Sequence, residues 1–191
     1  GTILQFIGFI LAAVWYLQRI DTDEIVAWKT PSLKTVGWVV GGFALLFAAS
    51  AAMTFLLSLI NAAPAQNQVI TAGQENPVFF LYMIPIALLL VGPGEELVFR
   101  GVVQGRLTRA FGTWPGIVLA SAAFGIVHWL ALVGTGQGKL VYIVVAGMLG
   151  LVLGAVYEYS KNIIVPIVIH GLWNAVLFAV NWYVVVNDLQ L

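Results

Sequence analysis

The 191-residue sequence contains no cysteine. Disulfides, thiolate metal sites and a cysteine nucleophile are therefore excluded. Charge is also scarce: 8% of the residues are Asp, Glu, Lys or Arg, and the formal net charge is zero. Soluble domains carry roughly 25% charged residues, so a water-soluble globule does not fit. The few basic residues form no cluster, which argues against a nucleic-acid partner. Histidine occurs only twice, at His128 and His170.

Apolar residues make up 61% of the chain and the mean hydropathy is +1.01. About 20 consecutive apolar residues cross the hydrocarbon core of a bilayer, and runs of that order recur. The chain reads as all-α: a polytopic helical membrane protein with about six transmembrane segments, near 2–18, 36–60, 78–99, 115–133, 140–158 and 163–186. No linker, repeat or low-complexity tract divides them, so 1–191 reads as a single integral membrane domain. The chain opens on Gly1 inside an apolar run, so a truncated or trimmed N-terminus is expected. That run lacks a basic leader and is followed by Arg19, as a span is and a signal peptide is not.

Basic residues orient the spans, because cytoplasmic loops are enriched in Lys and Arg. With loop 19–35 in the cytoplasm, that side holds Arg19, Lys29, Lys34, Arg100, Arg106, Arg109 and Lys161, and the other side only Lys139. The long 61–77 loop has no basic residue and is expected outside. The third segment can continue as helix to Phe111, with a turn at Gly112. Pro93-Gly94 predicts a kink or break just before two adjacent glutamates, Glu95 and Glu96. A broken helix inside a membrane commonly lines a cavity.

Intramembrane ionisable residues mark functional sites by default. Glu96 and His128 lie at equal offsets from Gly112 (112 − 96 = 16; 128 − 112 = 16), at similar depth in an antiparallel hairpin, roughly 24 Å from the turn. His170 lies early in the last segment, so three helices can bring an acid and both histidines to one level, expected on the cytoplasmic side of mid-membrane. Glu96–Arg100, Phe124–His128 and His170–Asn174 are i,i+4 pairs on common helix faces. The plainer readings are a helix-start role for the glutamates and interhelical hydrogen bonding by His128, His170 and Asn174; Phe124 reads as packing beneath the histidine. A carboxylate with polar donors nearby suits amide hydrolysis, but spacing does not choose between Glu95 and Glu96.

The segments EELVFR (95–100), FGIVH (124–128) and HGLWN (170–174) resemble, in order, the three motifs of the CPBP family. That family comprises the CAAX prenyl endoproteases and the Abi-type, bacteriocin-processing membrane proteins. The resemblance covers about 85–180. It implies an intramembrane endopeptidase with a conical cavity open to the cytoplasm. It further implies that Glu95 activates water, His128 helps position it, Arg100 holds Glu96, and His170 and Asn174 stabilise the oxyanion. A membrane-associated peptide or protein is the implied substrate, a prenylated C-terminus being the family's best-known case, and membrane lipid is the surrounding partner. An integral membrane location follows, the plasma membrane for a prokaryotic source. Two other classes remain open: a non-catalytic immunity or scaffold protein of the same fold, and a proton-coupled transporter using the Glu/His cluster. The expectation for cofactors is none. Zinc on Glu95, His128 and His170 is the alternative, disfavoured because H-E-x-x-H is missing.

Overall fold

In the computed structural model, which describes residues 2–19 and 26–189, the chain is almost wholly helical. The order is α1 (Thr2–Leu17), α2 (Leu33–Leu59), a strand β1 (Gln66–Asn67), α3 (Gln68–Glu75), α4 (Val78–Phe111), α5 (Thr113–Ala131), a strand β2 (Leu132–Val133), α6 (Gly136–Ser160) and α7 (Ile164–Val186). Among the described residues, α2 and α4–α7 are long and apolar enough to cross a membrane. The first expected span is a shorter apolar helix, Ile3–Leu17. The protein is thus a polytopic helical membrane protein. The stretch 20–25 of the first expected loop lies outside the described residues.

Local sequence explains where the helices begin. Ser32 caps α2 in a reciprocal pair with Thr35: the Thr35 amide donates to Ser32 Oγ and the Ser32 amide to Thr35 Oγ1. Asn67 caps α3 through Oδ1, and Thr135 caps α6 through Oγ1. The α4–α5 turn rests on Gly112, whose φ of 86° is open to glycine at little cost.

The expected extension of the third segment to Phe111 is present, and of the kink or break expected at Pro93-Gly94, the break does not occur. Helix α4 runs unbroken for 34 residues. It absorbs the proline by widening into π-helical turns at Ala87–Val91 and Leu97–Gln104, on either side of the α-helical Gly92–Glu96. Proline donates no backbone N–H, and a π turn re-registers the neighbouring bonds without ending the helix. Such bulges occur frequently at functional sites.

Packing fixes the helices that carry the polar residues. Helices α4 and α7 cross at backbone contact: a Cβ on Gly92 would lie 2.8 Å from the Ile167 carbonyl oxygen and 3.0 Å from the Gly171 nitrogen. Leu46, Leu153, Val156, Val165 and Ile169 join α2, α6 and α7 in one apolar cluster. Phe99, Phe124 and Ala146 join α4, α5 and α6 in another. Large apolar side chains such as Leu4, Leu33, Phe55 and Leu130 face outward, as lipid-facing surface does.

The 61–77 segment holds more structure than an external loop. After β1 it forms α3, and β1 pairs antiparallel with β2, Asn67 opposite Leu132. This small ribbon ties the segment to the end of α5. The opposite end of the bundle carries the α4–α5 turn and Lys161.

Candidate active site

Glu96 and Arg100 form the centre of the buried polar layer. Glu96 is 0% and Arg100 1% exposed. One π-helical turn separates them, and Arg100 Nη1 donates to Glu96 Oε1 at 2.7 Å. Arg100 Nη2 donates to the Gly150 carbonyl of α6 at 3.1 Å, and its guanidinium lies 4.4 Å from the Phe124 ring centre. One turn further, Gln104 Nε2 donates to the Gly154 carbonyl at 3.0 Å. Of the two places open to Arg100, the loop or the membrane interior, it takes the interior, held by Glu96, the Gly150 carbonyl and the Phe124 ring.

The second ligand of Glu96 comes from α7. His170 Nδ1 lies 2.6 Å from the same Glu96 Oε1, so a carboxylate oxygen accepts from both Arg100 and His170. This bond fixes the ring and turns Nε2 toward Glu95, whose Oε2 is 3.6 Å away. Glu95 Oε2 is buried and has no hydrogen-bond partner among the described residues. The two neighbouring glutamates therefore stand in different chemical settings. Glu96 Oε1 accepts from two partners, whereas Glu95 makes no hydrogen bond among the described residues; the Oε2 atoms of both are buried without a partner.

His128 opens the 3₁₀ turn that ends α5. Its Nδ1 is 2.7 Å from the Phe124 carbonyl oxygen. A carbonyl only accepts, so Nδ1 carries hydrogen and a neutral ring keeps Nε2 as an acceptor. Phe124 does more than pack beneath this ring: its own ring meets His128 at 4.8 Å and His170 at 5.8 Å, edge to face. It spaces the two histidines. Asn174 sits one turn after His170 on α7, half-buried, with no hydrogen bond among the described residues.

Glu95, Glu96 and His170 are brought together, and Phe124 links His128 to them. His128 occupies the last turn of α5, beside the β ribbon and away from the basic loops. Along α4 the buried Arg100 and Gln104 follow Glu95 toward Phe111. Among the described residues no three His, Asp or Glu side chains form a group that could hold a metal ion.

Tyr142 of α6 escaped the sequence reading. Its ring lies 5.9 Å from that of His128, tilted by 36°. An aromatic residue in an apolar helix carries no signal that separates packing from chemistry.

Residues 77–176 match the family described as type II CAAX prenyl endopeptidase, Rce1-like. The chain belongs to this family. The match spans all three motif segments and ends just past Asn174. Curated relatives agree. The chain is 26% identical over 152 residues to the membrane-embedded CAAX protease MroQ of Staphylococcus aureus (strain USA300), covering 76% of this chain and 58% of that protein. It is 28% identical over 183 residues to the UPF0177 protein YvdC of Lactococcus lactis subsp. lactis (strain IL1403), covering 91% and 63%. It is 31% identical over 107 residues to the uncharacterized protein YpbD of Bacillus subtilis (strain 168), covering 54% and 50%. The chain thus spans between half and two thirds of the length of these relatives. No solved structure matches it.

Proposed function

We propose that this protein is an intramembrane endopeptidase that hydrolyses a peptide bond with water activated at Glu95. The observation that carries the reading is the division of labour between adjacent carboxylates. Glu96 Oε1 is shared by Arg100 and His170, which makes Glu96 a positioning group. The Oε2 atoms of both glutamates are buried and unpartnered among the described residues, but only Glu95 has neither oxygen in a hydrogen bond, and its Oε2 lies 3.6 Å from His170 Nε2.

The reaction needs a base, a means of holding water and donors for a developing oxyanion. Glu95 takes a proton from water as the oxygen attacks the peptide carbonyl carbon. His128, with Nδ1–H committed to the Phe124 carbonyl, holds that water through Nε2. Negative charge then collects on the carbonyl oxygen. Doubly protonated His170 donates to it from Nε2 and Asn174 donates from its amide. Collapse of the intermediate breaks the C–N bond, and the proton on Glu95 passes to the leaving amine. No step passes through a metal ion.

Family membership supports a membrane-associated peptide as substrate, and the name of the S. aureus relative supports a CAAX-type C-terminus. The deciding experiment is cleavage of prenylated and unprenylated membrane peptides by protein purified in detergent. Glu95→Ala and His128→Ala are expected to abolish cleavage in folded protein. Asn174→Ala is expected to lose about 10²–10³ in rate, the usual effect of one oxyanion donor. Cleavage retained in Glu95→Ala would reject Glu95 as the base. Absence of cleavage by the unaltered chain on both peptide classes would reject the peptidase reading for these substrates.

A further inference from the structure

The proposed reaction leaves one polar group beside the site without a task. Tyr142 stands on α6, which otherwise gives the site only the Gly150 carbonyl that holds Arg100. Its ring lies against that of the water-holding His128, with centres 5.9 Å apart. The Asn67 side chain and the Glu95 carboxylate both lie close enough to its hydroxyl to act on it. The phenol therefore sits among a histidine, an amide and the proposed base.

The placement of Asn67 is built in at three points. Its backbone pairs with Leu132, in the strand that follows the His128 turn. Its Oδ1 accepts the Val69 amide at 2.9 Å as the cap of α3. Nearby, the Gln68 amide donates to the Leu130 carbonyl at 3.4 Å. With Oδ1 serving the helix cap, Nδ2 is the donor that Asn67 has left for the phenol oxygen. A phenol that accepts from Asn67 keeps its own O–H free to donate. The groups it faces on the reaction side are Glu95 and His128.

We infer that Tyr142 is a further catalytic residue of the proposed peptidase, donating its O–H to the attacking water and held in place by Asn67. The inference rests on the reading of Glu95 as base. The geometry of the water follows from the donor count. Its two hydrogens go to Glu95 and to His128 Nε2, and it has two lone pairs. Tyr142 takes one, which leaves the other to point at the peptide carbonyl. No bond is made or broken at Tyr142. The hydroxyl fixes direction, and direction is what converts a bound water into a nucleophile.

The test uses the purified full chain with the peptide that the unaltered protein cleaves. Tyr142→Phe keeps the ring against His128 and deletes only the hydroxyl. The expected result is a fall in kcat of about 10–100-fold with KM within about twofold, the pattern of an interaction made in the transition state. Asn67→Ala is expected to lower kcat less. In the Tyr142→Phe background it should have no further effect, since Asn67 acts through the phenol. Thermal unfolding of each variant in detergent reports the cost to the fold, and Asn67→Asp, which keeps the Oδ1 cap, serves if Asn67→Ala does not fold. Tyr142→Phe activity within twofold of the unaltered protein, with Glu95→Ala inactive, would overturn this inference and leave the peptidase reading standing. Additive losses from Tyr142→Phe and Asn67→Ala would overturn the link between them. Cleavage retained in Glu95→Ala would instead remove the reading on which both rest.

Discussion

Glu96 and His170 are joined across two helices by a 2.6 Å contact from Nδ1 to Oε1, at the same oxygen that accepts from Arg100. One carboxylate oxygen therefore ties α4 to itself through Arg100, to α6 through the Arg100–Gly150 bond, and to α7 through His170. Removing any member leaves buried charge behind. In a low-dielectric interior that cost exceeds the worth of the pair itself.

Arg100→Ala follows from this directly. It strands Glu96 at zero exposure with one partner fewer, and the loss expected for a broken buried pair is about 3–5 kcal/mol. The unfolding midpoint in detergent should fall well below that of the unaltered protein. Glu95→Gln, which breaks no hydrogen bond among the described residues, should unfold near the unaltered midpoint while losing cleavage. Equal destabilisation by both changes would contradict the separation of roles between the glutamates.

The crossing of α4 and α7 gives a second prediction. A methyl group at Gly92 would stand 2.8 Å from the Ile167 carbonyl oxygen, a backbone atom that cannot swing aside. Gly92→Ala must push α7 away from α4, and overpacking of this kind costs about 1–3 kcal/mol. Because Glu95 and His170 lie just beyond this crossing, cleavage should fall by more than the stability loss explains. Gly41→Ala, where a Cβ meets open space, is the control and should be silent in both assays.

The i,i+4 spacing of Glu96 and Arg100 made their pairing legible in the sequence, because helix geometry alone brings those side chains together. The same spacing within FGIVH and HGLWN marked the right helices. What spacing could not show was rotation about a helix axis. The bond from His170 to Glu96 depends on how α7 turns against α4, and that is set by Gly92 and Gly171 packing, which no local pattern reports. The expected break at Pro93 failed because sequence records a missing donor but not the π turns that compensate for it. Gln68–Glu75 was read as loop because eight mixed residues show too little periodicity to declare a helix. Phe124 and Tyr142 look like packing in any apolar run. Only contact with both histidines for Phe124, and with His128 for Tyr142, distinguishes them.

Orientation yields the third prediction. With Arg100 interior, the basic loop residues are Arg19, Lys29, Lys34, Arg106, Arg109 and Lys161 at one end and Lys139 at the other, and the bias persists. Cysteines introduced singly at Ser32 and Gln68 flank α2 and should react with an impermeant thiol reagent from opposite faces, Ser32 from the cytoplasm. Labelling of both from one face would show that α2 does not cross. Labelling of Gln68 from the cytoplasm would reverse the bundle and open the ribbon side of the site to the cytoplasm.

Metal dependence supplies the last prediction. His170 uses Nδ1 on Glu96 and His128 uses Nδ1 on the Phe124 carbonyl. Each keeps one nitrogen, and catalytic zinc is served by three protein ligands and an open position. Glu95 is the third candidate, but if it bound the ion the reaction would need another base. Glu96 is the remaining acid, and its Oε1 is already shared by Arg100 and His170. Metal-independent hydrolysis therefore requires fewer reassignments of groups whose positions are fixed. Purified protein is expected to keep its cleavage rate after prolonged treatment with a strong zinc chelator, and elemental analysis should find no stoichiometric metal. Activity lost to the chelator and restored by zinc alone would make the histidines ligands and require a different base.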